Sequence, residues 1–170
     1  SRTVAPGDPA YLLVSMTPAG RSIYECRSSL LTAGAKAAVL SGAVTLHRAD
    51  LLQHIEPLET GAATTRDLAR IGTALARTLL PTTVRQGLET MLARPLVILH
   101  DREASRVPWE VLRVGTTHPA LGAGLSRRYA SDARSFSASL AGRASPSFAN
   151  TMMASRSMST PSEMSPASAL

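Results

Sequence analysis

The sequence predicts an α/β fold: a mostly parallel sheet flanked by helices, opened by a β-hairpin and followed by a disordered C-terminal tail. Three features lead there. Leu96-Val97-Ile98-Leu99 is a continuous apolar run of strand length placed directly after a helical pattern, as in a parallel strand covered on both faces. Short apolar runs punctuated by Gly and Pro fill the first part of the chain. From Asp132 onward Val and Ile vanish and no periodicity survives.

In order along the chain, Tyr11-Leu12-Leu13-Val14 reads as a buried strand and Thr17-Pro18-Ala19-Gly20 as a turn, with residues 22–31 as the returning strand. Gly34 permits another turn. Ala37-Ala38-Val39-Leu40 and Val44-Thr45-Leu46 read as strand pieces around Gly42. Asp50 is placed to cap a helix bearing Leu51, Leu52, Ile55 and Leu58, which Pro57 should cut to two turns. After the linker at Gly61, Thr64 or Thr65 caps a helix with Leu68, Ile71, Leu75 and Leu79 on one face. Asp67 in its first turn and Arg77 in its last suit the helix dipole. Pro81 ends it, and Val84, Leu88, Met91 and Leu92 continue the pattern on a second helix that Arg94-Pro95 breaks. After the strand at Leu96, His100-Asp101-Arg102-Glu103 is a polar loop. Val107-Pro108-Trp109-Glu110-Val111-Leu112 restarts apolar structure, with Pro108 suited to a first helical turn, and residues 125–129 form a last strand. Residues 1–63 are thus a β-rich lead-in, 64–131 an α/β segment and 132–170 a tail rich in Ser, Ala, Arg and Met.

Composition limits the function classes. At 170 residues and 44% hydrophobic the chain can bury a real core, and its 4% aromatic content means that core is aliphatic. The net charge of +6 raises nucleic acid as a partner, but the arginines are scattered, Lys36 is the only lysine, and no basic stretch interleaves with aromatics. One cysteine, Cys26, excludes an internal disulfide, and no Cys/His spacing fits zinc; no metal and no cofactor are expected. No segment approaches the length of an apolar membrane helix, so no membrane association and a cytoplasmic location are expected.

The order of features from Arg66 to Tyr129 resembles the CHAT family of caspase-like domains. That order comprises a helix ending in Leu79-Leu80-Pro81, a second amphipathic helix, Pro95-Leu96-Val97-Ile98-Leu99-His100-Asp101, the signature Val107-Pro108-Trp109-Glu110-Val111-Leu112, and Leu125-Ser126-Arg127-Arg128-Tyr129. The resemblance implies an incomplete caspase-like fold, a mostly parallel sheet with helices on both faces, and the activity of a cysteine endopeptidase whose histidine and cysteine follow the region of Arg127 to Tyr129. It also implies structural roles for Asp101, Pro108, Trp109, Glu110 and Arg128. Pro108 presets φ, Trp109 fills the core, and Glu110 meets helix N-terminal amides.

The stretch after Tyr129 contains neither histidine nor cysteine, so the chain is expected to be truncated before the dyad and to be inactive. No catalytic residue is assigned. Cys26 reads as a small buried hydrophobe and not as a nucleophile. His47, His54, His100 and His118 all precede the expected catalytic strands, while His118 and Arg127-Arg128 are placed to line a cleft or to sit on a solvated loop. The tail is either the product of a frameshift in GC-rich DNA or a genuine flexible extension. The expected partners are other proteins or a peptide substrate, with a non-enzymatic interaction module as the alternative function and nucleic-acid binding a distant third.

Overall fold

The computed structural model describes residues 7–32 and 39–130. They form an α/β layer arrangement, a five-stranded mixed sheet flanked by three helices. Three strands open the chain: β1 (Ala10–Pro18), β2 (Ile23–Thr32) and β3 (Val39–His47). Helices α1 (Arg48–Glu59), α2 (Thr65–Leu79) and α3 (Thr82–Glu89) follow, then β4 (Leu96–His100) and, after three short 3-10 turns, β5 (Leu125–Tyr129). The spatial order is β3-β2-β1-β4-β5.

The expected sheet was mostly parallel, and the observed one is mixed. β1–β2 and β2–β3 are antiparallel, while β1–β4 and β4–β5 are parallel. The reason lies in the connections. Ala19 to Ser22 is too short for anything but a hairpin, whereas the long excursion through the helices returns β4 alongside β1 in the same direction. The hairpin therefore grows into a three-stranded meander, and β1, from the lead-in, pairs with β4 along Ala10↔Leu96 to Val14↔His100. As the apolar run predicts, β4 lies between two parallel neighbours with Leu96, Val97 and Ile98 buried.

Registers fix which residues share a face. Leu40, Leu30, Leu12 and Ile98 form one row across the sheet, and Gly42, Ser28, Val14, His100 and Tyr129 the next. This face, with Met16, Cys26 and Leu46, joins one core with the buried residues of all three helices, among them Leu51, Ile55, Ile71, Leu75 and Leu79. Leu13 and Val97 are buried on the opposite face and are not part of that core. Among the described residues, then, the helices pack on one face of the sheet and not on both.

The helix boundaries are partly as expected. Thr64 caps α2 in a reciprocal box: its hydroxyl accepts from the Asp67 amide at 3.2 Å and the Asp67 carboxylate accepts from the Thr64 amide at 3.0 Å. Asp50 does not cap α1. It sits inside the first turn, the cap position belonging to His47, because β3 runs straight into the helix. Pro57 does not stop α1 at two turns either. The helix has 12 residues, since Pro57 lies near its end and the Thr60 amide and hydroxyl both satisfy the Glu56 carbonyl at 3.1 Å. Gly61, at φ 68°, then turns the chain away. α3 ends at Glu89, five residues before Arg94, leaving Met91 and Leu92 half-buried in the following turn. Val39, Leu40 and Val44 to Leu46, on either side of Gly42, belong to one strand, β3, while Ala37 and Ala38 lie outside the described residues. Gly34 and the 132–170 tail lie outside the described residues.

Two glycines set how closely the helices pack, α2 against the loop after β4 and α3 against the sheet. A Cβ on Gly72 of α2 would lie 2.0 Å from the Val111 carbonyl oxygen, and the Gly72 carbonyl accepts from the Arg113 amide at 3.1 Å. A Cβ on Gly87 of α3 would meet the Leu40 Cδ1 at 2.2 Å. The first obstacle is backbone and cannot move alone, while the second is the far end of a side chain. Gly72→Ala is therefore expected to destabilise by roughly 1–3 kcal/mol despite alanine's better helix propensity. Gly87→Ala should stay within about 1 kcal/mol of wild type, because propensity offsets repacking. Urea unfolding of both variants distinguishes these outcomes.

Acid should loosen α2. The Asp67 carboxyl is held below its ordinary value first by the Thr64 hydroxyl and then by the Thr64 amide. A depressed folded-state pKa gives a contribution present above the unfolded value of 3.8 and lost as pH falls through the folded one. Far-UV circular dichroism should show helix loss in that acid window, and Asp67→Asn should flatten it.

Candidate functional site

In α/β sheets, sites gather where parallel strands end in carbonyls and loops. Here the parallel pairing of β1, β4 and β5 ends at the register Val14↔His100↔Tyr129, while β1 runs on to Pro18 beside β2.

Asp101 occupies the exit of β4. One carboxylate oxygen accepts from the Met16 amide of β1 at 2.8 Å and the other from the Ala104 amide at 2.8 Å; the Asp101 amide donates to the Val14 carbonyl at 3.3 Å. A short acidic side chain just past a strand can satisfy the amide that begins the next turn. Here it also holds the neighbouring strand. The turn so formed, Ala104–Arg106, presents the Ala104 carbonyl to the Trp109 indole N–H at 2.9 Å. Trp109 is wholly buried, so its one donor is satisfied in the interior.

The Val-Pro-Trp-Glu-Val-Leu segment folds as a 3-10 turn, Trp109–Val111, and not as an α-helix. Pro108 immediately precedes it, with φ −77°. Glu110 consequently has no helix N-terminus to meet. Three residues accumulate neither a dipole nor a set of free amides. Its carboxylate accepts instead from the Arg127 guanidinium of β5 at 3.1 and 3.3 Å, and the same guanidinium donates to the Ser105 carbonyl at 2.5 Å. Arg127 thereby joins the edge strand to both turns. Arg128, next along β5, points to the other face and is exposed.

His100 is buried, 5% exposed, with Nδ1 3.1 Å from the Asp101 carbonyl and its ring edge-on to Tyr129 at 6.2 Å. Tyr129 is exposed. His118 sets Nδ1 3.1 Å from the Val111 carbonyl and so closes the loop before β5. His47 is exposed at the start of α1, and His54 is half-buried within it. No histidine hydrogen-bonds a thiol or hydroxyl among the described residues.

Cys26 lies on β2 opposite Met16 and Val44, with no exposed surface. Burial, reinforced by the Asp101 carboxylate, pushes its thiol up from 9.0 to about 12. Thiolate is then far scarcer near neutral pH than in an ordinary cysteine. Among the described residues no cluster of three His, Cys, Asp or Glu side chains could hold a metal, and no helix is long and apolar enough to cross a membrane.

The structure thus joins Asp101, Pro108, Trp109 and Glu110 in one hydrogen-bonded corner, and Arg128 stands outside it. Sequence reasoning missed Arg127 as the partner of Glu110, seventeen residues away in the chain. It also missed the Met16 amide as the partner of Asp101, since a backbone donor leaves no trace in residue identity. Compared with known proteins, the chain matches no family model, no curated protein and no solved structure.

Removing the carboxylate that ties β1 to the turn leaves two amides to find new partners. Asp101→Ala should cost roughly 1.5–3 kcal/mol of stability, and Asp101→Asn, which keeps one acceptor, distinctly less. Chemical denaturation measures both, and near-equal values for the two variants would remove Asp101 from this role.

Proposed function

We propose that the chain is the leading part of a caspase-like domain of the CHAT type that works by binding other proteins and not by hydrolysing peptides. The observation that carries the non-hydrolytic reading is the state of Cys26: the sole cysteine of the sequence is fully buried, with its thiol pushed up to about 12. A nucleophilic cysteine needs the opposite, a depressed pKa and access to a carbonyl. The caspase-like reading draws its support from the succession of the α2–α3 pair, the buried parallel strand β4, the Trp109 corner and the strand β5. The cytoplasm is the compartment we assign, because a lone thiol fits a reducing environment.

Alkylation tests the reading. Iodoacetamide at neutral pH should modify Cys26 of the folded chain at least about a hundredfold more slowly than in urea. A panel of fluorogenic peptides should show no turnover that Cys26→Ala abolishes. Cys26-dependent hydrolysis would overturn the interaction reading and restore the peptidase one.

A further inference from the structure

The outward face of α2 carries an open trough of about 500 Å³, away from the corner described above. It is lined by the short side chains of Ala69, Thr73, Ala74 and Thr78, at helical spacing. Arg70 and Arg77 run along the same helix face between them, and Arg113 lines the trough beside Thr73. The trough holds no aromatic side chain and no carboxylate.

The arginines are poorly neutralised. Arg70 reaches the nearest carboxylate, Asp67, only at 3.7 Å, and that carboxylate is already committed to the α2 cap. Arg113 leans on the Thr73 hydroxyl at 3.4 Å, and Thr73 in turn donates to the Ala69 carbonyl at 2.9 Å. Arg77 is exposed, with no ion pair among the described residues. Arg70 and Arg77 are seven residues apart, about 10.5 Å along the axis, and Arg113, held at Thr73, falls between them. The charges therefore repeat about once per helical turn.

We propose that this face docks an acidic helical segment of a protein partner, whose carboxylates, one turn apart, pair with Arg70, Arg113 and Arg77. The short side chains flanking the arginines let a second helix approach, and guanidinium forks match carboxylates. A free phosphate is a poorer fit, because in mid-helix every backbone amide is already used and no amide cradle is available. Single-stranded nucleic acid lacks the aromatic surface on which its bases would stack. In naming a protein partner the proposal rests on the interaction reading, though nothing in it uses the caspase-like resemblance.

Fluorescence anisotropy at low salt, with the full chain, decides it. The probe is a labelled alanine-rich peptide of about 21 residues with glutamates at i, i+4 and i+7 in successive turns. Its glutamine counterpart and an oligothymidylate of equal charge are the comparisons. The glutamate peptide should bind roughly tenfold or more tightly than the glutamine peptide, and lose affinity as salt rises from about 50 to about 300 mM. The double variant Arg70→Ala/Arg77→Ala should weaken it about tenfold and Arg113→Ala about threefold, with Arg21→Ala, on the β1–β2 turn, unchanged. Ala74→Trp, which fills the trough and keeps every charge, should also abolish binding, its folding checked by circular dichroism. Equal binding of the two peptides, indifference to the arginine variants, or tighter binding of the oligothymidylate would each overturn the proposal. Absence of peptide binding with an inert Cys26 would overturn this docking site alone, whereas Cys26-dependent hydrolysis would overturn the interaction reading beneath it.

Discussion

One carboxylate holds the two parts of the sheet in register. Asp101 stands where β4 leaves the sheet and accepts at once from β1, through the Met16 amide, and from its own exit turn, through the Ala104 amide. The turn that results directs the Ala104 carbonyl to the indole of Trp109, and the buried indole anchors the segment that α2 packs against. Both oxygens of this half-buried carboxylate are engaged by backbone donors, so the amides stand in for part of its water. Loss of the carboxylate would leave two donors short within the region that positions Trp109.

Close packing follows from that anchor. The Val111 carbonyl and the Arg113 amide sit against Gly72 at a distance no side chain would permit, so α2 is fixed to the loop as well as to the sheet. Gly87 lets α3 settle onto Leu40 and Leu30 in the same way. The outcome is one aliphatic core on one face of the sheet, with Trp109 as its largest wholly buried side chain. With only 4% aromatic residues in the chain, that single indole has an outsized share in filling the space between α2, the loop and the strands.

The same arrangement governs chemistry. His100, Asp101 and Tyr129 meet at the carboxyl ends of parallel strands, but the imidazole and the carboxylate face backbone groups, which is how a structure uses polar side chains to close a corner. Cys26 lies in the neighbouring row, and its nearness to the Asp101 carboxylate adds to burial in keeping it protonated. On the surface of α2, Arg70 and Arg77, with Arg113 from the loop, line a trough with short side chains.

What the sequence determined by itself is local and periodic. The unbroken Leu96-Val97-Ile98-Leu99 run marks a covered strand, the Thr64/Asp67 spacing marks a helix start, and Ile71, Leu75 and Leu79 mark its buried face, because each signal is carried by residues within a turn or two of one another. Tertiary structure alone decided the mixed direction of the sheet, the placement of the helices on one face, and the pairing of Glu110 with Arg127. It also decided that the Pro-Trp-Glu segment is a 3-10 turn, since the Trp109 indole is drawn to the Ala104 carbonyl and Gly72 brings α2 against Val111. Those outcomes depend on groups far apart in the chain and on backbone atoms common to every residue, so no pattern of residue types announces them.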